Sequence, residues 1–356
     1  MISARVPRGF YAFLGIIALW ALLVAVPARA QTPAEADNPF HGQNITLIIS
    51  FASGGPVDGV ARVLGGTLSD NLPGHPKIIY MNIPGADGVA ALNRLYTITK
   101  PDGLTFLIGA GNQLNPVNLK REQVKYDPTK LNLIGGFANP SSYFLVRSKA
   151  VDRLTDHTAA PVQLAAIDGT RSGEQMGVWL AHAFNWNLKM VVGYAGNATQ
   201  VLAMQQGEVD MLSTNDVEVV KTSTASGEGA LIAQTGMLRN GKLVPSSVFQ
   251  TAPILTDLIA KKLQGKALAA FTFWNRFRQI GMWLALPPHT PDSYVSLYRK
   301  AFSKAVADPD LRRLIARYNP DPSALSVEDL AALIREMTNT PDELVAYVDE
   351  LTKSYR

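Results

Sequence analysis

The chain of 356 residues contains no cysteine, which excludes disulfide bonds and cysteine-ligated metal sites. Its five histidines stand singly, and none forms a ligand spacing such as His-Glu-x-x-His. The Gly-x-Ser-x-Gly motif of many hydrolases is also missing. We therefore expect no enzyme activity, no catalytic residue, no metal and no cofactor, and hydrophobic burial must supply the stability of the fold.

A dense basic stripe is absent as well. Three of the 33 basic residues, Arg5, Arg8 and Arg29, lie in the first thirty residues, which contain no acid. The rest of the chain has 30 basic and 29 acidic residues, so its net charge is +1. Binding to nucleic acid depends on a clustered positive surface, and we therefore expect no nucleic-acid partner.

The first thirty residues are typical of a secretory signal peptide. Arg5 and Arg8 form a basic start, residues 14–26 are apolar, and Ala28-Arg29-Ala30 is a cleavage motif. The apolar stretch is shorter than the roughly 20 residues that a membrane-spanning helix needs. We expect export and cleavage near Ala30, which makes residues 1–30 a signal peptide; an uncleaved anchor is the alternative.

Beyond residue 38, short apolar runs alternate with amphipathic stretches. The predicted strands are residues 45–51, 77–81, 105–108, 143–147, 162–167, 189–192, 209–213 and 280–286. Alternating strands and helices predict parallel sheets covered on both faces. After cleavage, about 326 residues exceed the size at which one core keeps growing, so two lobes are expected.

We predict an α/β fold with two βαβ lobes joined by a hinge and a ligand cleft between them. Lobe 1 is assigned residues 38–142 plus 236–356, and lobe 2 residues 143–235. Four aromatic residues precede the strand at 280–286, and core packing is favoured over a position in the cleft for all of them. They are Phe271, Phe273, Trp274 and Phe277.

Two loops of small residues follow the first two predicted strands and are called loop 1 (residues 51–58) and loop 2 (residues 82–88). The carboxyl ends of parallel strands share one edge, where open α/β sheets bind ligands. Exposed amides at a helix start attract anions, although the glycines equally fit a plain tight turn. The candidate binding residues here are Ser53, Gly54, Gly55, Asp58, Pro84, Gly85 and Ala86.

Two further loops occupy equivalent positions in the second lobe and are called loop 3 (residues 168–173) and loop 4 (residues 193–197). Their candidate binding residues are Gly169, Thr170, Arg171, Ser172, Tyr194, Gly196 and Asn197. We expect Arg171 to bind a second carboxylate of the ligand, because a planar guanidinium binds carboxylates bidentately. A solvated arginine is the alternative. Asp58 either meets a polar ligand group or only stabilises the helix start.

Several motifs resemble those of the extracytoplasmic solute receptors of tripartite tricarboxylate transporters, the Bug family. Loop 1 is similar to that family's F-A-P-G-G-x-x-D, and loop 2 to N-x-P-G-A-G-G. Ala61-Arg62 matches A-R, residues 101–107 resemble P-D-G-Y-T-L-L, residues 207–211 G-x-V-D-M, and residues 287–291 P-x-G-T-P. Each motif alone is weak evidence for the family, but their order and spacing together make the resemblance strong. It covers nearly the whole chain that remains after cleavage.

The resemblance implies a type II periplasmic-binding-protein-like fold. It also implies a periplasmic monomer that closes its lobes on a small organic carboxylate and docks on membrane permease subunits of a tripartite tricarboxylate transporter. A periplasmic sensing module of the same fold, acting on a signalling partner, is the alternative. Genomic adjacency to permease genes or to a sensor kinase separates the two.

Three departures from the family pattern indicate an atypical solute. Ser53 replaces the usual proline, Asp87 replaces a glycine, and Gly-Tyr-Ala-Gly-Asn in loop 4 stands where the family has P-Y-K-G-G. Dicarboxylates, aromatic carboxylates, amino acids and nicotinate-like acids all fit the sequence.

Overall fold

A computed structural model of the chain describes residues 38–239, 242–318 and 322–356. The predicted signal peptide and its cleavage site lie outside these residues. Within the described ranges, no helix has both the length and the apolar character needed to cross a bilayer.

The strands and helices of the described residues alternate as the sequence predicted through most of the chain. The strands are β1 (Asn44–Ile49), β2 (Lys77–Asn82), β3 (Thr105–Ala110), β4 (Asn132–Ala138), β5 (Tyr143–Arg147), β6 (Val162–Ala165), β7 (Leu188–Val191), β8 (Met211–Thr214), β9 (Gly229–Gln234), β10 (Met237–Arg239), β11 (Lys242–Val244), β12 (Ile280–Leu286) and β13 (Ala324–Leu325). The helices are α1 (Pro56–Asn71), α2 (Val89–Thr97), α3 (Pro116–Leu119), α4 (Ser172–Phe184), α5 (Asn197–Gln206), α6 (Val217–Ala225), α7 (Leu255–Ala260), α8 (Gly265–Phe277), α9 (Asp292–Ala307), α10 (Pro309–Ile315), α11 (Val327–Thr338) and α12 (Asp342–Ser354).

Two main sheets share one strand arrangement. The first has the order β13-β4-β12-β3-β1-β2, and the second β7-β6-β8-β5-β9. Three strands are parallel in each, β2-β1-β3 and β7-β6-β8, and an antiparallel strand follows, β12 and β5 respectively. Each sheet is therefore mixed, where the sequence predicted parallel sheets. The prediction of two similar βαβ lobes is confirmed.

Two segments cross between the sheets, one between β4 and β5 and one between β9 and β12. They contact each other through two hydrogen bonds between Ser142 and Thr235. The Ser142 amide donates to the Thr235 hydroxyl (2.8 Å), and the Thr235 amide donates to the Ser142 carbonyl (2.9 Å). The Asn139 amide also donates to the Gln279 carbonyl (2.8 Å). We propose that these paired segments form the hinge between the lobes.

Helix α1 shows how the sequence fixes the loops. Pro56 occupies its first position, where a missing N–H and a fixed φ suit a helix start. Val60, Leu64 and Leu68 lie one turn apart on its buried face. Loop 1 is thus anchored between a buried strand and a packed helix.

The hydrophobic core continues from one sheet to the other. One cluster belongs to the first sheet and its helices, with Leu47, Phe106 and Tyr298 among its buried members. A second cluster includes residues of both sheets, such as Leu107 and Phe144. The aromatic residues Phe271 and Trp274 also lie in this second cluster and are 2% and 1% exposed.

The C-terminal helix α12 contacts the second sheet. Leu351 and Tyr355 pack against buried Met190 and Val178, and the Met190 amide donates to the Tyr355 carbonyl. These C-terminal residues were assigned to lobe 1 from the sequence. The lobe boundaries stay a proposal.

Candidate ligand-binding cleft

Loops 1, 2 and 3 converge at the carboxyl ends of the parallel strands. Loops 1 and 2 follow β1 and β2, and loop 3 follows β6. A nitrogen of the Arg171 guanidinium, Nη2, lies 3.2 Å from Oδ1 of Asp87 in loop 2. The guanidinium carbon of Arg171 lies 6.0 Å from the ring centre of Phe51 at the start of loop 1. Two predicted loops of the first sheet thus meet one of the second.

Loop 4 is bonded within the second lobe. The Asn197 side-chain amide donates to the Thr214 hydroxyl (3.0 Å), and the Gly196 backbone amide donates to the Thr199 hydroxyl (3.1 Å). Tyr194 is partly buried against the core of that lobe. In the part of the chain that the structure describes, no hydrogen bond or ion pair joins loop 4 to loops 1 or 2.

Asp58 is the centre of a hydrogen-bond network that shapes loop 1. The Gly54 amide donates to Asp58 Oδ2 (2.9 Å), and Arg62 Nε donates to the same oxygen (3.0 Å). Asn82 of loop 2 donates to Asp58 Oδ1 (2.9 Å) and to the Phe51 carbonyl (2.9 Å). The Asp58 carboxylate therefore accepts the hydrogen bond that the Gly54 amide could have given to a ligand, and it links loop 1 to loop 2.

The charge state of Asp58 follows from this network. Asp58 is 4% exposed, and burial alone would raise the pKa of its carboxyl group. The hydrogen bonds to the carboxylate outweigh burial, the one from Arg62 most strongly, and lower the pKa from 3.8 to about 2. Asp58 is ionised at neutral pH. Its hydrogen bonds favour the second alternative given for it, stabilisation of the helix start, over contact with a ligand group.

Replacing Asp58 by asparagine is expected to lower the free energy of unfolding at pH 7 by about 2 kcal/mol. The folded-state pKa lies below the unfolded value, so this stabilisation is complete above pH 4 and is lost as the pH falls towards 2. Urea unfolding of wild type and Asp58→Asn at several pH values measures the difference. Asp70→Asn, exposed near the other end of α1, is the control. A difference that persists unchanged at pH 2 contradicts the assignment.

Loop 2 has an unusual backbone that exposes three candidate residues. Gly85, Ala86, Asp87 and Gly88 have φ values of 136°, 47°, 55° and 93°. The φ of 93° favours glycine at the last of these positions, where an added Cβ would also lie 1.7 Å from the Gln113 side-chain nitrogen and displace that side chain. Pro84, Gly85 and Ala86 are exposed at the edge of the sheet.

Loop 3 is shaped by an acid in the same helical position as Asp58. Glu174, the third residue of α4, accepts hydrogen bonds from the amides of Ile167 (2.6 Å) and Gly169 (2.8 Å). Burial raises the pKa of Glu174 to about 7, against the lowering effect of these amides. In loop 3 too, the Gly169 amide, which was predicted to bind the ligand, instead donates its hydrogen bond to an acid of the chain itself.

The polar segment after β3 contributes to the cleft and was missed in the sequence. Asn115 is 1% exposed and donates to the Thr170 carbonyl (3.1 Å) and to Gln175 Oε1 (3.1 Å). Asn118 donates to the Thr170 hydroxyl (3.4 Å), and Asn112 donates to the Asp87 carboxylate. The rule that selected loops 1 and 2 applies equally to this segment, since it leaves the same edge of the same sheet.

The remaining candidates of loop 3 also bond across the lobes. The Ser172 hydroxyl accepts from the Asn139 side chain in the crossing segment (3.1 Å). Thr170 is 4% exposed and also donates to the Asp168 carboxylate (2.9 Å).

Across residues 38–239, 242–318 and 322–356, no cluster of three potential metal ligands is found.

The chain is similar to a protein of Cupriavidus necator described as "UPF0065 protein in gbd 5'region". The two are 25% identical over 348 residues, which cover 92% of this chain and 94% of the relative. No family model matches the chain.

Three solved structures share the fold. "Periplasmic binding protein BugD" aligns with a TM-score of 0.61 and 18% identity, covering 86% of this chain and 97% of that chain. MatC of Rhodopseudomonas palustris with bound malate has a TM-score of 0.58 and 18% identity, covering 87% and 98%. Rpa4515 of R. palustris with adipate has a TM-score of 0.64 and 16% identity, covering 88% and 97%.

These likenesses confirm the predicted fold class, a two-lobed α/β fold like that of periplasmic binding proteins. Among these neighbours, BugD is described as a periplasmic binding protein, and MatC contains bound malate. In fold and over nearly its whole length, the chain resembles the periplasmic solute receptors of the Bug and tripartite tricarboxylate type, as its motifs predicted.

Proposed function

We propose that the chain is a periplasmic receptor that binds a small organic carboxylate between its lobes and delivers it to the permease subunits of a tripartite tricarboxylate-type transporter. The observation that carries this proposal is the convergence of loops 1, 2 and 3, from two different sheets, around the Arg171 guanidinium. Structural neighbours bind malate and adipate, both of which are carboxylates.

The geometry links binding to closure of the lobes. Polar groups of both lobes can reach one solute only when the lobes lie together. A solute that contacts both lobes therefore has a higher affinity for the closed state and shifts the population towards it. The closed form is the state that a permease can distinguish from the empty receptor.

The candidate residues divide into two roles within this proposal. Ser53, Gly55, Pro84, Gly85 and Ala86 of the first lobe, with Arg171 and Ser172 opposite, contact the solute. Tyr194, Gly196 and Asn197 reach it when loop 4 approaches. The Gly54 and Gly169 amides, bonded to Asp58 and Glu174, position the loops, and Thr170 joins loop 3 to the segment after β3.

A thermal-shift screen tests the proposed function. The purified chain without residues 1–30 is expected to melt at a higher temperature with one or more members of a panel of organic carboxylates. A ligand at one hundred times its dissociation constant adds about 2.7 kcal/mol of stability, which moves the melting temperature by several degrees. The neutral amide of each acid is the matched control and leaves the melting temperature unchanged.

Two outcomes contradict the proposal. In one, no carboxylate raises the melting temperature at millimolar concentration. In the other, amides and acids act equally, which means that the negative charge is not recognised. Titration calorimetry on every positive compound separates specific binding from a general effect of salt.

A further inference from the structure

Asp87 places a carboxylate directly opposite Arg171 in the cleft. The family that the chain resembles has glycine at this position of the loop 2 motif. Oδ1 of Asp87 lies 3.2 Å from Arg171 Nη2, and Oδ2 accepts a hydrogen bond from Asn112. The Asp87 side chain is only 13% exposed. The acid is thus fixed on both oxygens and not free in solvent.

Arg171 has no second acidic partner in the described parts of the chain. Its ion pair with Asp87 is the only one it makes among these residues, and 40% of its side chain is exposed. Its Nε is buried without a hydrogen-bond partner among the described residues. The nearby acid Asp168 instead pairs with Arg121 at 3.9 Å. Asp87 is therefore the acid that pairs directly with Arg171, whereas Glu174 interacts with this guanidinium electrostatically without an ion pair.

We propose that Asp87 is a built-in counter-ion that takes the place of a second ligand carboxylate at Arg171. The receptor consequently selects solutes with one carboxylate and a far end that carries no negative charge. This inference rests on the proposed function, because it concerns which carboxylates the cleft accepts.

Electrostatics supports the selection against dicarboxylates. A second carboxylate of the ligand that approaches Arg171 meets the negative charge of Asp87 at close range. To displace Asp87 from Arg171, it must leave a largely buried carboxylate without its cation, which is unfavourable. A neutral or positively charged far end meets neither obstacle.

The backbone permits a clean substitution at this position. Asp87 has a φ of 55°, a left-handed conformation that asparagine also adopts readily. Asp87→Asn keeps the shape and removes only the charge. Asp87→Gly, with the family's residue, provides a second variant that tolerates the same φ. Unliganded melting temperatures and circular dichroism spectra verify that both fold.

The test uses acids matched in length that differ only at the far end. One series is adipate, hexanoate and 6-aminohexanoate, and the other is terephthalate, 4-methylbenzoate and 4-(aminomethyl)benzoate. Calorimetry gives dissociation constants for wild type and variants in any series with a measurable member. Wild type is expected to bind the monoanionic or zwitterionic member more tightly than the dianion. Asp87→Asn is expected to raise the affinity for the dianion, relative to the monoanion, by about tenfold or more.

Two further variants show whether the effect acts through Arg171. Asp349→Asn removes an acid from an ion pair with Lys353 on α12, outside the loops, and should leave the affinity ratio unchanged. In an Arg171→Ala background, Asp87→Asn should change the ratio much less, because it still removes the repulsion from Asp87 but frees no guanidinium.

The outcomes separate this inference from the proposed function. If wild type binds carboxylates and prefers the dianion, or if Asp87→Asn and Asp87→Gly change the ratio less than twofold, the role of Asp87 is wrong and the receptor function stands. An equal change in the Arg171→Ala background also overturns it. If neither wild type nor any variant binds a carboxylate in the screen, both proposals fail.

Discussion

Replacing Gly111 by alanine is expected to lower the free energy of unfolding by about 3 kcal/mol. Gly111 follows the last residue of β3, and an added Cβ would lie 1.9 Å from the carbonyl oxygen of Ile280. That oxygen belongs to the backbone at the start of β12, which pairs with β3 and β4. No side-chain rotation relieves this clash, so one of two paired segments must move.

The measurement is urea unfolding followed by circular dichroism, with a matched glycine as control. Gly66 lies on the exposed side of α1 and has no atom within 4 Å of an added Cβ. Gly66→Ala should therefore increase stability by up to about 1 kcal/mol, because alanine is the better helix former. The same chemical change thus has opposite signs at the two positions. A loss below 1 kcal/mol for Gly111→Ala contradicts the close approach.

Gly111 also connects stability to the cleft. The segment that begins at this residue carries Asn112, Asn115 and Asn118, which bond to Asp87 and Thr170. A displaced Gly111 moves these side chains away from the second lobe. Carboxylate affinity is therefore expected to fall together with stability in Gly111→Ala.

The sequence predicted the strands whose composition is distinctive. Strands β5 and β12 are found at the predicted residues 143–147 and 280–286, because each is a compact apolar run. Strand β4 was missed, since Gly135 and Gly136 interrupt its apolar pattern and glycine is unfavourable in strands. Its strand conformation depends on pairing with β12, about 150 residues further along the chain. Pattern alone does not contain such a partner.

The antiparallel strands show the same limit. The sequence gives each strand a position but not a direction in the sheet. β5 and β12 enter their sheets antiparallel because the chain crosses between the lobes, and this depends on the whole topology. The loops at the carboxyl ends of the parallel strands were predictable, since that edge follows from the βαβ connection itself.

The meeting of the candidate loops was predictable from the sequence, but the contact between Asp87 and Arg171 was not. Loops 1, 2 and 3 meet, as expected from strands that share an edge. The contact between Asp87 and Arg171 joins residues 84 positions apart, and no local pattern indicates it. The departure from glycine at Asp87 was visible in the sequence, but its partner was not.

Both lobes use one local device, which the sequence indicated at Asp58 as one of two alternatives and did not indicate at Glu174. Asp58 and Glu174 each stand third in a helix and accept a hydrogen bond from a glycine amide in the preceding loop. An acid in the first helical turn often bonds back to the residues before the helix. In this protein the device fixes the shape of two candidate binding loops, and the amides of Gly54 and Gly169 are no longer free to donate to a ligand.

Replacing Trp274 by alanine is expected to cost about 4 kcal/mol of unfolding free energy. Trp274 is 1% exposed, and its ring centre lies 6.2 Å from those of Phe271 and Trp179. Its indole Nε1 donates to Gln175 Oε1 (2.7 Å), which also accepts from Asn115. The truncation leaves a cavity in the core that the lobes share and removes one donor from a buried amide.

Trp274→Phe separates the two contributions. Phenylalanine keeps most of the packing but not the N–H, so we expect a loss of only about 1 to 2 kcal/mol. Urea unfolding of both variants measures the difference. Calorimetry with a carboxylate from the screen then decides between the core and the cleft for this side chain. If Trp274 is a core residue, its replacement lowers the free energy of unfolding, and carboxylate affinity falls only indirectly, through Gln175 and loop 3. A loss of affinity at unchanged stability would place the indole against the ligand and contradict the packing argument.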